Sequence, residues 1–313
     1  EKIAKDAAAA TTLDDDDKPL RDGGHGHRAY AEAVSVYLAF AVSRLADLSS
    51  TISTWIPGLE AVRGTFGRQA IPMTWDYCEC SPVHDKWEGS IDWIARCFPM
   101  FPATSPGHVF QADASVVQGP SRPVISTDPP YYDNIGYADL SDYFYVWMRR
   151  SLAPIFPTLF STMLVPKAEE LIASPYRHGS KAAAEAFFLD GMTRVMHRLS
   201  ERMADAFPCT VYYAFKQAER EADGTSSTGW ETFLHAVLSA GFSVTGTWPV
   251  RTERSVKLIG DNANILASSI VLVCRPRTGD AAMTTRKDFL AALRRELPPA
   301  LRHLQRGNIA PVD

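Results

Sequence analysis

Positive charge is in short supply in this chain. Its 313 residues carry 32 lysines and arginines against 36 aspartates and glutamates, a formal net charge of −4. A free-standing nucleic-acid binder draws much of its affinity from neutralising phosphates and usually shows a basic excess. Here that work falls to a local patch or to a partner. Uninterrupted apolar runs of the roughly 18–20 residues that span a bilayer are missing. The opening Glu1-Lys2-Ile3-Ala4-Lys5-Asp6 lacks the basic-then-apolar pattern of a secretory leader. The expected setting is therefore cytoplasmic, without a membrane. Cysteine is sparse: Cys78, Cys80, Cys97, Cys209 and Cys274 are odd in number and scattered. Cys78 and Cys80 stand near His84, but a structural zinc site takes four ligands in two spaced pairs, and there is no second pair. No metal is expected.

What is present is an ordinary globular composition, 46% hydrophobic and 22% charged, long enough for one large α/β domain or two small ones. Residues 1–28 read as an unstructured acidic and Gly/His leader. Within it, Asp14 to Lys18 matches an engineered protease-cleavage tag and equally suits a natural linker. Helical spacing starts at 28–49, where Tyr30, Val34, Tyr37, Leu38, Ala41 and Leu45 recur at three and four residues. A stretch punctuated by Pro and Gly follows, with a short strand at 70–73 and a helix at 91–97. Residues 29–105 thus form a helical and irregular segment.

From 106 to 277 the pattern alternates. Strands are expected at 107–111, 123–127 (buried), 210–215, 242–249 and 268–274, and helices at 139–151, 181–206 and 229–240. Gly241 stands where a helix C-terminus favours glycine. An amphipathic helix occupies much of the tail, 278–313. Strands separated by helices imply parallel pairing with helices on both faces. The last two strands, joined by a loop poor in helix, are expected to be an antiparallel pair at one edge. The fold class is α/β, a mixed Rossmann-like sheet.

Chemistry concentrates at Asp128-Pro129-Pro130-Tyr131, directly after the apolar 123–127 segment. Asp-Pro also starts ordinary turns, but here a strand precedes it and an aromatic cluster follows. Exocyclic amines of nucleobases are poor nucleophiles because the lone pair is delocalised into the ring. Acceptors placed on the amine draw its hydrogens, localise the lone pair and hold an attack geometry. Asp128 supplies a carboxylate oxygen and Pro129 a carbonyl. Two successive prolines remove competing backbone donors, and Tyr131 offers an aromatic face to a base taken out of the stack.

The longer string Val124-Ile125-Ser126-Thr127-Asp128-Pro129-Pro130-Tyr131-Tyr132-Asp133-Asn134-Ile135-Gly136-Tyr137 resembles a family of large bacterial and archaeal adenine-specific DNA methylases with an amino-terminal domain of unknown function. Supporting stretches are Phe66-Gly67-Arg68-Gln69-Ala70-Ile71-Pro72-Met73-Thr74-Trp75-Asp76-Tyr77, Pro166-Lys167-Ala168-Glu169-Glu170-Leu171 and Thr225-Ser226-Ser227-Thr228-Gly229-Trp230-Glu231. The resemblance runs from about 28 to 277. It implies a class I methyltransferase sheet, S-adenosyl-L-methionine as cofactor, double-stranded DNA with a flipped base as substrate, and N6 of adenine as target. Some members lie near phage-defence genes.

Such enzymes also carry a glycine-rich loop after their first strand. The nearest string here, Gly64-Thr65-Phe66-Gly67, has no buried strand leading into it. The expectation is a sheet incomplete at its amino-terminal half, completed by a further segment or a partner subunit. RNA base methylation, or a non-catalytic role in a defence complex, are the alternatives.

The resemblance also assigns residues. Asp128, Pro129, Pro130 and Tyr131 are catalytic. Asp113, with Asp128, is expected to meet the cofactor, a helix N-cap being the alternative for Asp113. Tyr132, Asn134 and Lys216 are expected near the substrate. Gln217 and 225–228 are expected at the cleft edge, the latter as phosphate contact or helix cap. Arg149, Arg150, Arg251, Arg254 and Lys257 serve a DNA backbone or a solvated face. The run 143–148 is expected to be core.

Overall fold

The structure is a computed structural model. It describes residues 2–9, 16–67, 73–79, 81, 83, 86–101, 107–116, 118–119, 122–133, 135–216, 228–250, 266–281 and 283–306. The chain divides into two compact units, residues 1–111 with 136–170, and 112–135 with 171–313.

The first unit is mostly helical: α1 (Lys2–Ala9), α2 (His27–Leu48), the two-stranded antiparallel β1 (Trp55–Ile56) and β2 (Ala61–Val62), α3 (Lys86–Ala95) and α4 (Tyr137–Leu152). Alanines 39, 41 and 46 are buried along α2, small enough to let neighbouring helices approach closely. Ala39 meets Leu152, Ile155 and Phe160, with Val36 and Met148 alongside.

Helix α4 is held at both ends. Glu170 accepts a hydrogen bond from the Ala138 N–H at its start, where orphan donors and the helix dipole favour a carboxylate. Near its end, the Arg149 Nε donates to the Phe160 carbonyl. In its middle, Asp142 accepts from Lys167 Nζ at 2.6 Å and from the Val165 N–H at 2.8 Å. Burial raises the Asp142 carboxyl, but the Lys167 and Val165 hydrogen bonds outweigh it and hold it below its ordinary value. Val165, Lys167 and Glu170 thereby clamp α4.

Two expectations change in this unit. The described residues of the leader are ordered: α1 forms, and Asp16 closes a loop by accepting from the Lys18 and His25 backbone N–H groups. Run 143–148 is not uniformly core. Tyr143 donates to the Ala46 carbonyl and packs on Phe66, while Val146 and Trp147 are exposed. Helix α2, 22 residues long, contains an 18-residue window of mean hydropathy 1.2, which meets the length and apolarity of a membrane span, although charges interrupt it. The strand expected at 70–73 falls largely outside the described residues.

The second unit is a mixed α/β layer. Its sheet has four strands in the order β3 (Ser126–Thr127), β4 (Cys209–Lys216), β6 (Leu266–Pro276), β5 (Phe242–Val250). β3 and β4 are parallel, while β6 runs antiparallel to both β4 and β5. The last two strands are thus an antiparallel edge pair, with the later one inserted inside.

Helices α5 (Pro175–His178), α6 (Lys181–Arg202) and α7 (Thr228–Ser239) complete the unit with α8 (Arg286–Arg306). Ser180 caps α6 by accepting from the Ala183 N–H. Gly241 follows α7 at φ +86°, a left-handed conformation that a Cβ would strain. Thr285 opens α8 with a reciprocal cap, accepting from the Asp288 N–H and donating to its carboxylate.

The core lies between the sheet and helices α6 and α7. Phe188, Met192 and Met196 from α6 and Phe233, Ala236 and Val237 from α7 cover Cys209, Val211, Tyr213, Leu272 and Cys274. Period-two alternation explains the strand faces: Val211 and Tyr213 point into the core, whereas Tyr212 between them is 43% exposed. On that opposite face Tyr212, Val271 and Trp248 stand in register across three strands.

Two strand expectations fail. No strand forms at 107–111, where Val109 is fully exposed. The 123–127 strand shrinks to two residues, and Val124 is exposed rather than buried. The physical reason is that β3 has a neighbour on one side only, so neither its outer edge nor the 107–111 segment has a ladder to join.

Burial sets the chemistry of two thiols. Cys209 and Cys274 are register partners in the core, and desolvation pushes Cys209 up to about 12 and Cys274 to about 11, from an ordinary 9.0. Since the thiolate is the nucleophile, alkylation of the native protein at pH 8 should modify neither, while the half-buried Cys78 and Cys97 react; peptide mapping reads this. The sign of the linkage follows. A raised folded pKa leaves stability constant below pH 9.0 and lowers it as pH rises from there through 11 and 12.

Candidate active site

Residues 126–132 leave the sheet at the carboxyl end of β3, the end at which parallel α/β sheets present ligand sites. Thr210 on β4 donates its hydroxyl to Ser126 Oγ and ties the strand down. Asp128 is exposed, Pro129 buried and Pro130 half-buried, so the prolines anchor the turn and the carboxylate faces outward. The Tyr131 hydroxyl donates to Asp128 Oδ1 at 2.7 Å. Among the described residues, the second carboxylate oxygen is left for an incoming donor.

Below the turn lies an aromatic stack. The Tyr131 ring meets Tyr213 edge-on at 5.6 Å, and Tyr213 stacks on Phe233 at 4.0 Å and 11°. Trp230, from the first turn of α7, flanks Tyr213 at 5.7 Å. Burial first, then the Asp133 charge and the neighbouring tyrosines, push the Tyr213 phenol well above its usual range and keep it protonated.

Tyr132 carries the strain. Its φ of +54° is unusual for an aromatic residue, and two backbone bonds hold it: its N–H donates to the Pro130 carbonyl, and its carbonyl accepts from Ala173. The ring sits edge-on to Phe188 at 5.2 Å. Tyr132 is therefore a wedge between the turn and the core.

Gly229 lies so close that a Cβ there would come within 2.9 Å of the Tyr132 ring. Gly229→Ala should therefore displace Tyr132 or α7 and cost about 1–3 kcal/mol, read as a fall in the urea midpoint. Val at the same position should cost more.

The other predicted residues fare differently. Asp113 does not cap a helix. It closes an exposed turn, its Oδ1 accepting from Ser115 N and Oγ, both at 2.8 Å. These bonds, with a smaller contribution from Arg194, hold its carboxyl below the ordinary value. Lys216 ends β4 opposite Leu266, past an irregularity at Ala214. Arg149 is engaged by the Phe160 carbonyl, which leaves exposed Arg150 as the open member of that pair. Asn134, Gln217, 225–227, Arg251, Arg254 and Lys257 lie outside the described residues, as do Cys80 and His84. Among the described residues no three His, Cys, Asp or Glu side chains gather as a metal site would require.

Residue-by-residue reading passed over Tyr213, Phe233 and Ala173. Tyr213 was findable from the alternation of β4, but nothing in sequence spacing places it under Tyr131. No family model, no curated protein and no solved structure matches the chain.

Proposed function

We propose that the Asp128–Tyr131 turn orients the exocyclic amine of an adenine in DNA for N6-methylation with S-adenosyl-L-methionine as methyl donor. The observation that carries this is an exposed carboxylate at the carboxyl end of a parallel strand, seated on two prolines and beside an aromatic ring. The sheet order, with a late antiparallel strand inserted beside the edge, supports a Rossmann-like methyltransferase half.

Asp128 accepts one hydrogen of the amine and the Pro129 carbonyl the other, which localises the nitrogen lone pair. The Tyr131 hydroxyl fixes the carboxylate while its ring receives the base. The described residues fit this base-handling half. On the cofactor side, Asp113 holds a turn on Ser115 through one carboxylate oxygen, and the sequence has no glycine-rich loop after a buried strand. The cofactor cradle is accordingly assigned to a further segment or partner subunit.

The test is transfer of labelled methyl groups to plasmid DNA and to bulk RNA by the protein together with that segment. Label in adenine of DNA supports the reading. Label in RNA alone, or none at all, overturns it.

A further inference from the structure

A second site stands in the helical unit; its geometry is independent of Asp128, while DNA as the source of its ligand rests on the function proposed above. A cavity of about 320 Å³ opens beside the β1–β2 pair. Its floor is rigid. The Thr65 N–H donates to the Asp47 carbonyl at 2.7 Å and to its carboxylate at 3.0 Å, and the buried Thr65 hydroxyl donates to the Asp47 carbonyl and meets Ser50 Oγ. Arg63 N–H is fixed on the Thr54 carbonyl. The walls carry Arg63, Thr74, Trp75 and Asp76.

Trp75 is 91% exposed. Among the described residues neither the Arg63 guanidinium nor the Asp76 carboxylate has an ion-pair or side-chain hydrogen-bond partner. A planar π surface, a forked donor and a carboxylate acceptor thus border one base-sized space on an ordered floor.

We propose that this cavity binds a purine base held out of its stack, as in single-stranded or locally opened DNA. The indole supplies the stacking face. Arg63 donates to ring-edge acceptors such as N7, and Asp76 accepts from an exocyclic or ring N–H, the complementary pattern that a purine edge presents. A bare phosphate fits less well, because the Asp76 carboxylate in the same lining offsets the single Arg63 guanidinium. A purely apolar protein segment would bury both charged side chains unmatched.

The test uses the full chain and a short single-stranded oligonucleotide carrying one 2-aminopurine, whose emission is quenched by stacking. Saturable quenching is expected. Trp75→Ala should abolish the quenching and weaken binding by roughly 5–100-fold, the range for one stacked base. Arg63→Gln should weaken purine over pyrimidine oligonucleotides at least several-fold without changing the salt slope, since it contacts the base and not phosphate. Trp75 is exposed, so an unchanged melting curve is expected for its variant. Quenching that survives Trp75→Ala, no binding by the full chain, or an Arg63→Gln loss that is equal for all sequences and flattens the salt dependence would each overturn the proposal.

Discussion

Replacing Asp128 by Asn should reduce methyl transfer to adenine-containing DNA by about 10²–10³-fold, the scale of losing one preorganised electrostatic contact to the reacting group. The change is nearly isosteric, and Asp128 is exposed, so stability should move by no more than about 0.5 kcal/mol. Asn keeps a carbonyl acceptor for Tyr131 but loses the charge that polarises an amine, so the loss should fall on kcat more than on KM. The measurement is steady-state transfer by the cofactor-competent protein, with the melting curve of each variant as the folding control. Transfer within threefold of the parent would remove Asp128 from the chemistry. A collapsed melting curve would instead mark the residue as structural.

Phe233→Ala should bring the largest loss of stability. The side chain is fully buried and stacks at 4.0 Å on Tyr213, with Trp230 on the same side. Phe-to-Ala truncation in a packed core costs about 3–5 kcal/mol, part transfer and part cavity. Here the cavity opens beneath the ring that meets Tyr131, so loosening of the Asp128 turn should accompany the loss. Urea unfolding followed by circular dichroism gives the first quantity. Hydrogen exchange of the Ala173 N–H, which is bonded to the Tyr132 carbonyl, gives the second. Phe233→Leu refills much of the volume and should recover more than half of the loss. A truncation costing under 1 kcal/mol would mean that the stack is not under load.

Much of the architecture was legible beforehand because it rests on periodicity. Helices at 27–48, 137–152, 181–202, 228–239 and 286–306 follow three-and-four spacing, and the strands at 209–216, 242–250 and 266–276 follow apolar alternation between turn residues. The antiparallel pairing of β5 and β6 was legible as well, since their connection lacks the helix that a parallel crossover requires.

Failures came where a segment depends on neighbours that the chain order does not reveal. The 107–111 segment has apolar residues but no ladder, and Val124 reads as buried only if a second strand flanks β3. The leader misled for the opposite reason: one carboxylate, Asp16, orders two backbone amides, a local effect that composition hides.

The proposed catalytic tetrapeptide stood out from its order alone, because an acceptor beside two prolines is written in consecutive residues. Its surroundings did not. That Tyr131 donates to Asp128, that Tyr132 turns inward at positive φ and that Gly229 must be bare beside it are settled by packing between residues up to about a hundred positions apart. Sequence by itself therefore determined most of the elements and singled out the turn proposed to be reactive. Only tertiary structure decided which tyrosine faces the carboxylate and which one wedges the core, because excluded volume acts between neighbours in space.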